Sequence, residues 1–113
     1  MQPFDVNEVL ELICSIFNPQ AQSKGVSIHS EAVYKKKNKS VHVRIPKLIG
    51  DERRFQQVLV NLVKNAIKFT SHGYIHIKAC YIGRPDNRLT VQVIDTGKGI
   101  DRSESQKLFS KFG

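Results

Sequence analysis

The chain alternates between stretches of helical period and stretches of strand period. Val6, Val9, Leu10, Ile13, Ile16 and Phe17 recur at the spacing of one helix face. Asp5-Val6-Asn7-Glu8 before them has the form of a capping box with Asp5 as N-cap. Asn18-Pro19 is expected to kink or end this helix, because proline lacks an N–H and its ring crowds the preceding turn. Gly25 closes the region. A strand follows over Val26–Tyr34, then a lysine-rich loop, then a short strand over Val41–Ile45, after which Pro46 imposes extended or turned backbone. Asp51 is placed to cap a second helix running to about Phe69, with Phe55, Val58, Leu59, Leu62, Val63 and Ala66 on its apolar side. Thr70–Gly73 reads as a turn. Ile75, Ile77, Ala79 and Tyr81 alternate with Tyr74, His76, Lys78 and Cys80, the period of a half-buried strand. Gly83–Arg88 then connects to a return strand over Leu89–Ile94. A last helix is expected to begin near Ser103 and to carry Leu108, Phe109 and Phe112. The order helix, two strands, helix, two strands implies one α+β domain, a two-layer α/β sandwich with its helices on one face of the sheet.

Composition narrows the class. A chain of 113 residues with 40% hydrophobic and 25% charged residues can bury a modest core and is not a disordered polyelectrolyte. No apolar run approaches the length of a membrane span, and the Met-Gln-Pro-Phe-Asp start has no signal-peptide character. Cys14 and Cys80 lack metal-type spacing and read as free thiols of a reducing compartment, so a cytoplasmic location is expected. His29, His42, His72 and His76 are scattered and read as surface residues.

The formal charge of +8 changes the picture less than its size suggests. Lys35-Lys36-Lys37-Asn38-Lys39, followed by Arg44, Lys47, Arg53 and Arg54, could serve nucleic acid or an anionic surface. The run lies between two strand-like segments with Tyr34 as its one aromatic neighbour, which is the setting of a solvated hairpin loop. No nucleic-acid partner is expected.

Two stretches carry chemistry. At about 100° per residue, Asn61, Asn65 and Lys68 fall within an arc of roughly 60° on the second helix, flanked by Gln57 and Lys64 and opposite the apolar side. Taken alone, such a stripe is also what a solvated face looks like. Asparagine is nevertheless a poor helix-interior residue, and amide oxygens are hard ligands suited to Mg²⁺. The second stretch is Asp95-Thr96-Gly97-Lys98-Gly99-Ile100 at the end of the return strand. Leu89, Val91, Val93 and Asp95 share one strand face, so a carboxylate ends an inward row. Inward burial is costly unless the carboxylate is hydrogen-bonded, and such an acceptor at a pocket mouth can take the amine of adenine. Gly97 and Gly99 permit close backbone approach to a ligand. Alone, this segment also reads as a tight turn; the two together read as a nucleotide site.

At these residues the chain resembles sensor histidine kinases. Asn61-x-x-x-Asn65-Ala66-x-Lys68-Phe69-Thr70 is similar to their N box (61–70), Asp95–Ile100 to their G1 box (95–100), and Leu108-Phe109-Ser110-Lys111-Phe112 to the start of their F box (108–112). Phe4-Asp5-Val6 and Lys24-Gly25-Val26 also look like the family's first helix and the approach to its first strand. The resemblance covers nearly the whole chain, read as a single partial ATP-binding domain over 1–113. It implies the Bergerat fold of the GHKL superfamily, a mixed sheet with helices on one face, here incomplete at its C-terminal end. It further implies ATP and Mg²⁺ as cofactors. Asn65 would hold Mg²⁺, with Asn61 in or near that shell, and Lys68 would contact phosphate oxygens. Asp95 would read the adenine amine, Gly97 and Gly99, followed by Ile100, would shape the pocket floor, and Phe69 would lie near the base.

ATPase branches of the superfamily carry Glu where this chain has Asn61, as general base for water. An amide cannot take that proton, which favours transfer to a protein side chain over hydrolysis. The function implied is the ATP-binding portion of a histidine kinase in a two-component phosphorelay. It would supply Mg-ATP for phosphoryl transfer to a His on a separate helical domain, with a response regulator as the further partner and a homodimeric parent protein. The family continues past the position of Gly113 through an ATP lid and a further glycine box. No His of this chain stands in a phosphoacceptor context, so no catalytic residue is assigned and full kinase activity is not expected of the chain alone. The competing reading is a degenerate, non-catalytic nucleotide- or protein-binding module of the same fold.

Overall fold

The first helix begins where its cap dictates. In the computed structural model, which describes residues 2–36, 39–41, 44–96, 101–106 and 110–111, the Asp5 carboxylate accepts from the backbone N–H groups of Asn7 at 2.9 Å and Glu8 at 3.3 Å. Two orphan donors of the first turn are thereby satisfied. Helix α1 (Val6–Ser23) buries Val6, Val9, Leu10, Ile13, Phe17 and Ala21. Ile16, expected on that face, is 55% exposed. It falls just outside the buried arc, on the side of the equally exposed Leu12.

Pro19 neither ends α1 nor stops its packing: the helix continues to Ser23. Phe17 and Ala21 are buried on either side of the proline, while Ser15, whose carbonyl loses its helical donor, is exposed and open to water. Core burial on both sides outweighs the lost hydrogen bond. Lys24 is the C-cap, and Gly25 takes φ +72°, the left-handed conformation that lets the chain turn into the sheet.

The main sheet runs β3-β2-β5-β6-β7, formed by β2 (Val26–Lys36), β3 (Lys39–Val41), β5 (Gly73–Ile82), β6 (Arg88–Asp95) and β7 (Asp101–Gln106). β2 and β5 are parallel, from Val26↔Gly73 to Lys35↔Ile82, and the other pairs are antiparallel, so the sheet is mixed. A second, three-stranded sheet joins β1 (Gln2–Phe4), β4 (Leu48–Gly50) and β8 (Ser110–Lys111) in the order β1-β4-β8. The lysine-rich segment is shorter as a loop than expected, because Lys36 pairs with Lys39 across the hairpin. The strand expected over Val41–Ile45 is instead β3, ending at Val41, with Ile45 buried outside it.

Helix α2 (Glu52–Phe69) has the bounds its periodicity and cap predict, with the Asp51 carboxylate accepting from Arg54 N–H at 3.1 Å. It buries Phe55, Leu59, Val63, Ala66 and Ile67. On β5 and β6 the alternation is complete: Ile75, Ile77, Ala79 and Tyr81 stand in register with Asp95, Val93, Val91 and Leu89, and all eight are buried. α1 packs on β2 and α2 on β6, and the two helices contact each other. The core is the layer between helices and sheet.

The C-terminal expectation is also overturned. The segment from Ser103 is not the start of a helix but part of β7, paired with β6 from Leu89↔Gln106 to Ile94↔Asp101. β6 would otherwise present an unpaired row of N–H and C=O groups, and pairing satisfies them. The apolar residues behind that expectation, Leu108, Phe109 and Phe112, lie outside the described residues. Ser110 and Lys111, also expected within it, pair with β4.

Candidate functional site

The amide stripe of α2 is where the periodicity places it. Asn61, Asn65 and Lys68 are exposed, while Val63, Ala66 and Ile67 between them are buried. The buried set anchors the helix on the sheet, so the stripe is carried by a fixed element. Lys68 lies in the last turn of α2 and Glu52 in its first, each matching the sign of the helix dipole. The Lys68 ammonium stands 5.4 Å from the centre of the Phe69 ring, and Phe69 is itself 42% exposed. Phe69 is the last residue of α2, so its ring and the Lys68 ammonium project together from the helix end.

Asp95 ends β6 fully buried, on the inner face with Leu89, Val91 and Val93 and opposite Ile75. The next residue is tied across to β5. Tyr74 N–H donates to Thr96 Oγ1 at 2.9 Å, and Thr96 N–H donates to the Tyr74 carbonyl at 3.1 Å. This fixes the backbone immediately after Asp95. Gly97, Gly99 and Ile100 lie outside the described residues.

Thr70, the last residue of the N-box resemblance, is a further residue of this region, to which the sequence assigned no role. It is fully buried, and its hydroxyl has no hydrogen-bond partner among the described residues. An orphaned buried hydroxyl costs about 1–3 kcal/mol. It directly follows Phe69, and its N–H donates to the Ala66 carbonyl at 3.0 Å, closing α2. The signal in the sequence was a threonine just past a helix end, which is too common to mark a site.

The described histidines stand at or near the sheet. His76 Nε2 meets Glu31 Oε1 at 2.9 Å on the face away from the helices, a pairing across parallel strands that sequence spacing could not reveal. Cys14 and Cys80 are free and half-buried. Burial pushes the Cys14 thiol above its ordinary pKa, against a hydrogen bond with Ser30 that lowers it. No helix among the described residues is long and apolar enough to cross a membrane.

α2 thus carries an exposed amide-and-ammonium stripe, and β6 ends in a buried carboxylate. Residues 50–113 match the profile described as histidine kinase-, DNA gyrase B- and HSP90-like ATPase. The chain belongs to this family. Among curated relatives it is 36% identical over 104 residues to the adaptive-response sensory kinase SasA of Parasynechococcus marenigrum (strain WH8102), a match covering 84% of the chain and 27% of that protein. It is 33% identical over 115 residues to the autoinducer 2 sensor kinase/phosphatase LuxQ of Vibrio vulnificus (strain YJ016), covering 96% of the chain and 12% of that protein. Among solved structures, full-length ShkA in complex with AMPPNP is similar with TM-score 0.65 and 29% identity, over 84% of the chain and 18% of ShkA. The chain thus spans about a quarter or less of each of these proteins.

The residues present fit an adenine nucleotide and its metal. The stripe of Asn61, Asn65 and Lys68, with the exposed Lys64 beside it, offers hard amide oxygens and cations, chemistry suited to Mg²⁺ and phosphate. The buried acceptor at Asp95 suits an amine rather than a phosphate. The uncompensated Thr70 hydroxyl is the kind of group that a bound ligand or its water would complete.

Proposed function

We propose that the chain is the ATP-binding part of a histidine kinase of a two-component phosphorelay, a single partial domain over residues 1–113. The observation that carries this reading is the burial of Asp95 at the end of β6 beside a helix whose exposed stripe is Asn61, Asn65 and Lys68. Asp95 accepts the exocyclic amine of adenine, with Phe69 near the base. Asn65 holds Mg²⁺, Asn61 stands in or near its shell, and Lys68 contacts phosphate oxygens. The resemblance assigns Gly97, Gly99 and Ile100 to the ATP site as well. Bound Mg²⁺ neutralises phosphate charge and orients the chain of phosphates. Asn61, being an amide, cannot act as general base toward water, so the site supports transfer to a protein acceptor rather than hydrolysis. The acceptor is a His on a separate helical domain of a homodimeric, cytoplasmic kinase module, and a response regulator is the next partner.

Binding by this chain alone is expected to be weak, so the test must detect weak affinity. Amide shift perturbation during a titration with Mg-AMPPNP should move the signals of Asn65, Lys68, Phe69 and Asp95. Perturbations elsewhere only, or none at millimolar ligand, would sink the assignment.

A further inference from the structure

Lys24 ends one helix and holds the end of the other. Its backbone is the C-cap of α1, where its N–H donates to the Ala21 carbonyl at 3.0 Å. Its side chain crosses to α2, and the ammonium donates to the carbonyl of Ile67. That carbonyl belongs to the last turn of α2, whose carbonyls have no donor within the helix. A cation there also meets the negative end of the helix dipole. Ile67 is buried, and its immediate neighbours in sequence are Ala66 and Lys68. The same turn therefore carries Lys68 and Phe69, with Asn65 just before it and Thr70 closing it.

We infer that Lys24 is a positioning residue for the phosphate and base contacts of the nucleotide site, Lys68 and Phe69, acting through the last turn of α2. The inference rests on the nucleotide reading above for its consequence, but the contact itself does not depend on a ligand. The helix has a strong start in Asp51 and five buried anchors, the last of them Ile67. Beyond Ile67 there remain Lys68, exposed, and Phe69, also exposed. The two groups assigned to phosphate and base thus lie on the last turn of α2, between the buried Ile67 and the buried Thr70. Lys24 supplies a charge-assisted bond to the last turn of α2 from outside the helix. Gly25, at φ +72°, fixes the path of the chain just after Lys24, so the ammonium is delivered from a constrained backbone.

The test compares Lys24→Met, which keeps the apolar stem and removes the ammonium, with Lys24→Arg, which restores a cation. Amide hydrogen exchange in the full chain reads the local effect without any ligand. In Lys24→Met, exchange at Lys68, Phe69 and Thr70 should quicken about tenfold, the size of one hydrogen bond to a charged group. Amides from Phe55 to Leu59 should change less than about twofold, and Lys24→Arg should restore most of the protection. A uniform quickening along α2, or no change in its last turn, would overturn the inference. The second readout is the Mg-AMPPNP titration, in which Lys24→Met should weaken binding about five- to tenfold at a temperature where it stays folded. Quickened exchange with unaltered affinity would reduce Lys24 to a structural cap. Absence of binding by the unsubstituted chain would count against the nucleotide reading itself, while the exchange pattern would still decide whether Lys24 holds the turn.

Discussion

Asn7 and Ile45 are joined by a closed pair of hydrogen bonds, the Asn7 amide donating to the Ile45 carbonyl at 2.8 Å and accepting from the Ile45 N–H at 3.2 Å. The same Nδ2 also donates to the Asp5 carboxylate at 2.7 Å. Asn7 is one of three buried polar residues among those described, and this contact ties the first turn of α1 to the segment leading into β4. Asn7→Ala would leave both backbone groups of a buried residue unpaired, at a cost of roughly 2–4 kcal/mol. Urea denaturation should show a matching fall in midpoint with an unchanged slope. A shift under about 0.5 kcal/mol, the scale of an ordinary surface substitution, would mean that water replaces the amide.

Asp5 makes stability depend on acid. Burial is the largest single influence on its carboxyl and pushes the pKa up, but hydrogen bonds from Asn7, Arg44 and the N–H groups of Glu8 and Asn7 outweigh it and leave the value below the ordinary one. A folded-state pKa below the unfolded value of about 3.9 means that the ionised form is favoured in the fold. The contribution is then complete above the unfolded value and is lost as pH falls through the folded one. Asp5→Asn keeps a capping side chain and removes the titration. The stability gap between the two proteins should therefore shrink between about pH 5 and about pH 2. A gap that stays constant over that range would show that neither Arg44, whose guanidinium lies 2.9 Å from Asp5, nor the N–H donors favour the ionised carboxyl in the fold.

Thr70 offers the opposite sign. Its buried hydroxyl has no partner among the described residues, so Thr70→Val should stabilise the ligand-free chain by about 1 kcal/mol. For a domain of this size that is a rise in Tm of about 4–8 °C. A fall in Tm would show that the hydroxyl is satisfied in solution. If the hydroxyl serves the nucleotide, the same substitution should weaken Mg-AMPPNP binding while the protein becomes more stable.

Asp95→Asn probes the base-reading role. The amide is nearly the same shape but offers a donor where a second acceptor stood, so it should lose most of any adenine-nucleotide binding. The expected loss is on the order of tenfold or more, the cost of a mispaired buried polar group. Equal affinity for Mg-AMPPNP in both proteins would remove Asp95 from that role. Fluorescence thermal scans must accompany the titration, since Asp95 is fully buried in the ligand-free fold as well.

What could be read from the sequence was what short-range physics decides. Asp5 and Asp51 cap their helices because the capping bond spans two or three residues, and both bonds form. β5 and β6 followed from their period of two, and the polar stripe of α2 from the 3.6-residue turn. β1 and β4 escaped because three-residue strands have no period, and their partners are distant in sequence. Pro19 did not end α1 because its penalty is local while the burial of Phe17 and Ala21 that offsets it is tertiary. Ser103 was read with apolar neighbours beyond it, whereas its pairing partner is Gln92 on β6. Of the candidate site, the exposure of Asn61, Asn65 and Lys68 and the inward face of Asp95 were legible, but their support was not: neither the closing bond from Lys24 nor the burial of Thr70 leaves a mark in sequence spacing.

The parallel pairing of β2 with β5 also governs how the chain reaches this state. Hairpins such as β5–β6 bring near neighbours together, but every rung between Val26↔Gly73 and Lys35↔Ile82 closes a loop that contains the whole of α2. Loops of that length cost entropy before any contact repays it, and topologies rich in them fold slowly. The central ladder of the sheet should thus be a late event, gathered around an α2 that is already docked on the β5–β6 hairpin. Substitutions in β2 such as Val26→Ala would then speed unfolding more than they slow folding.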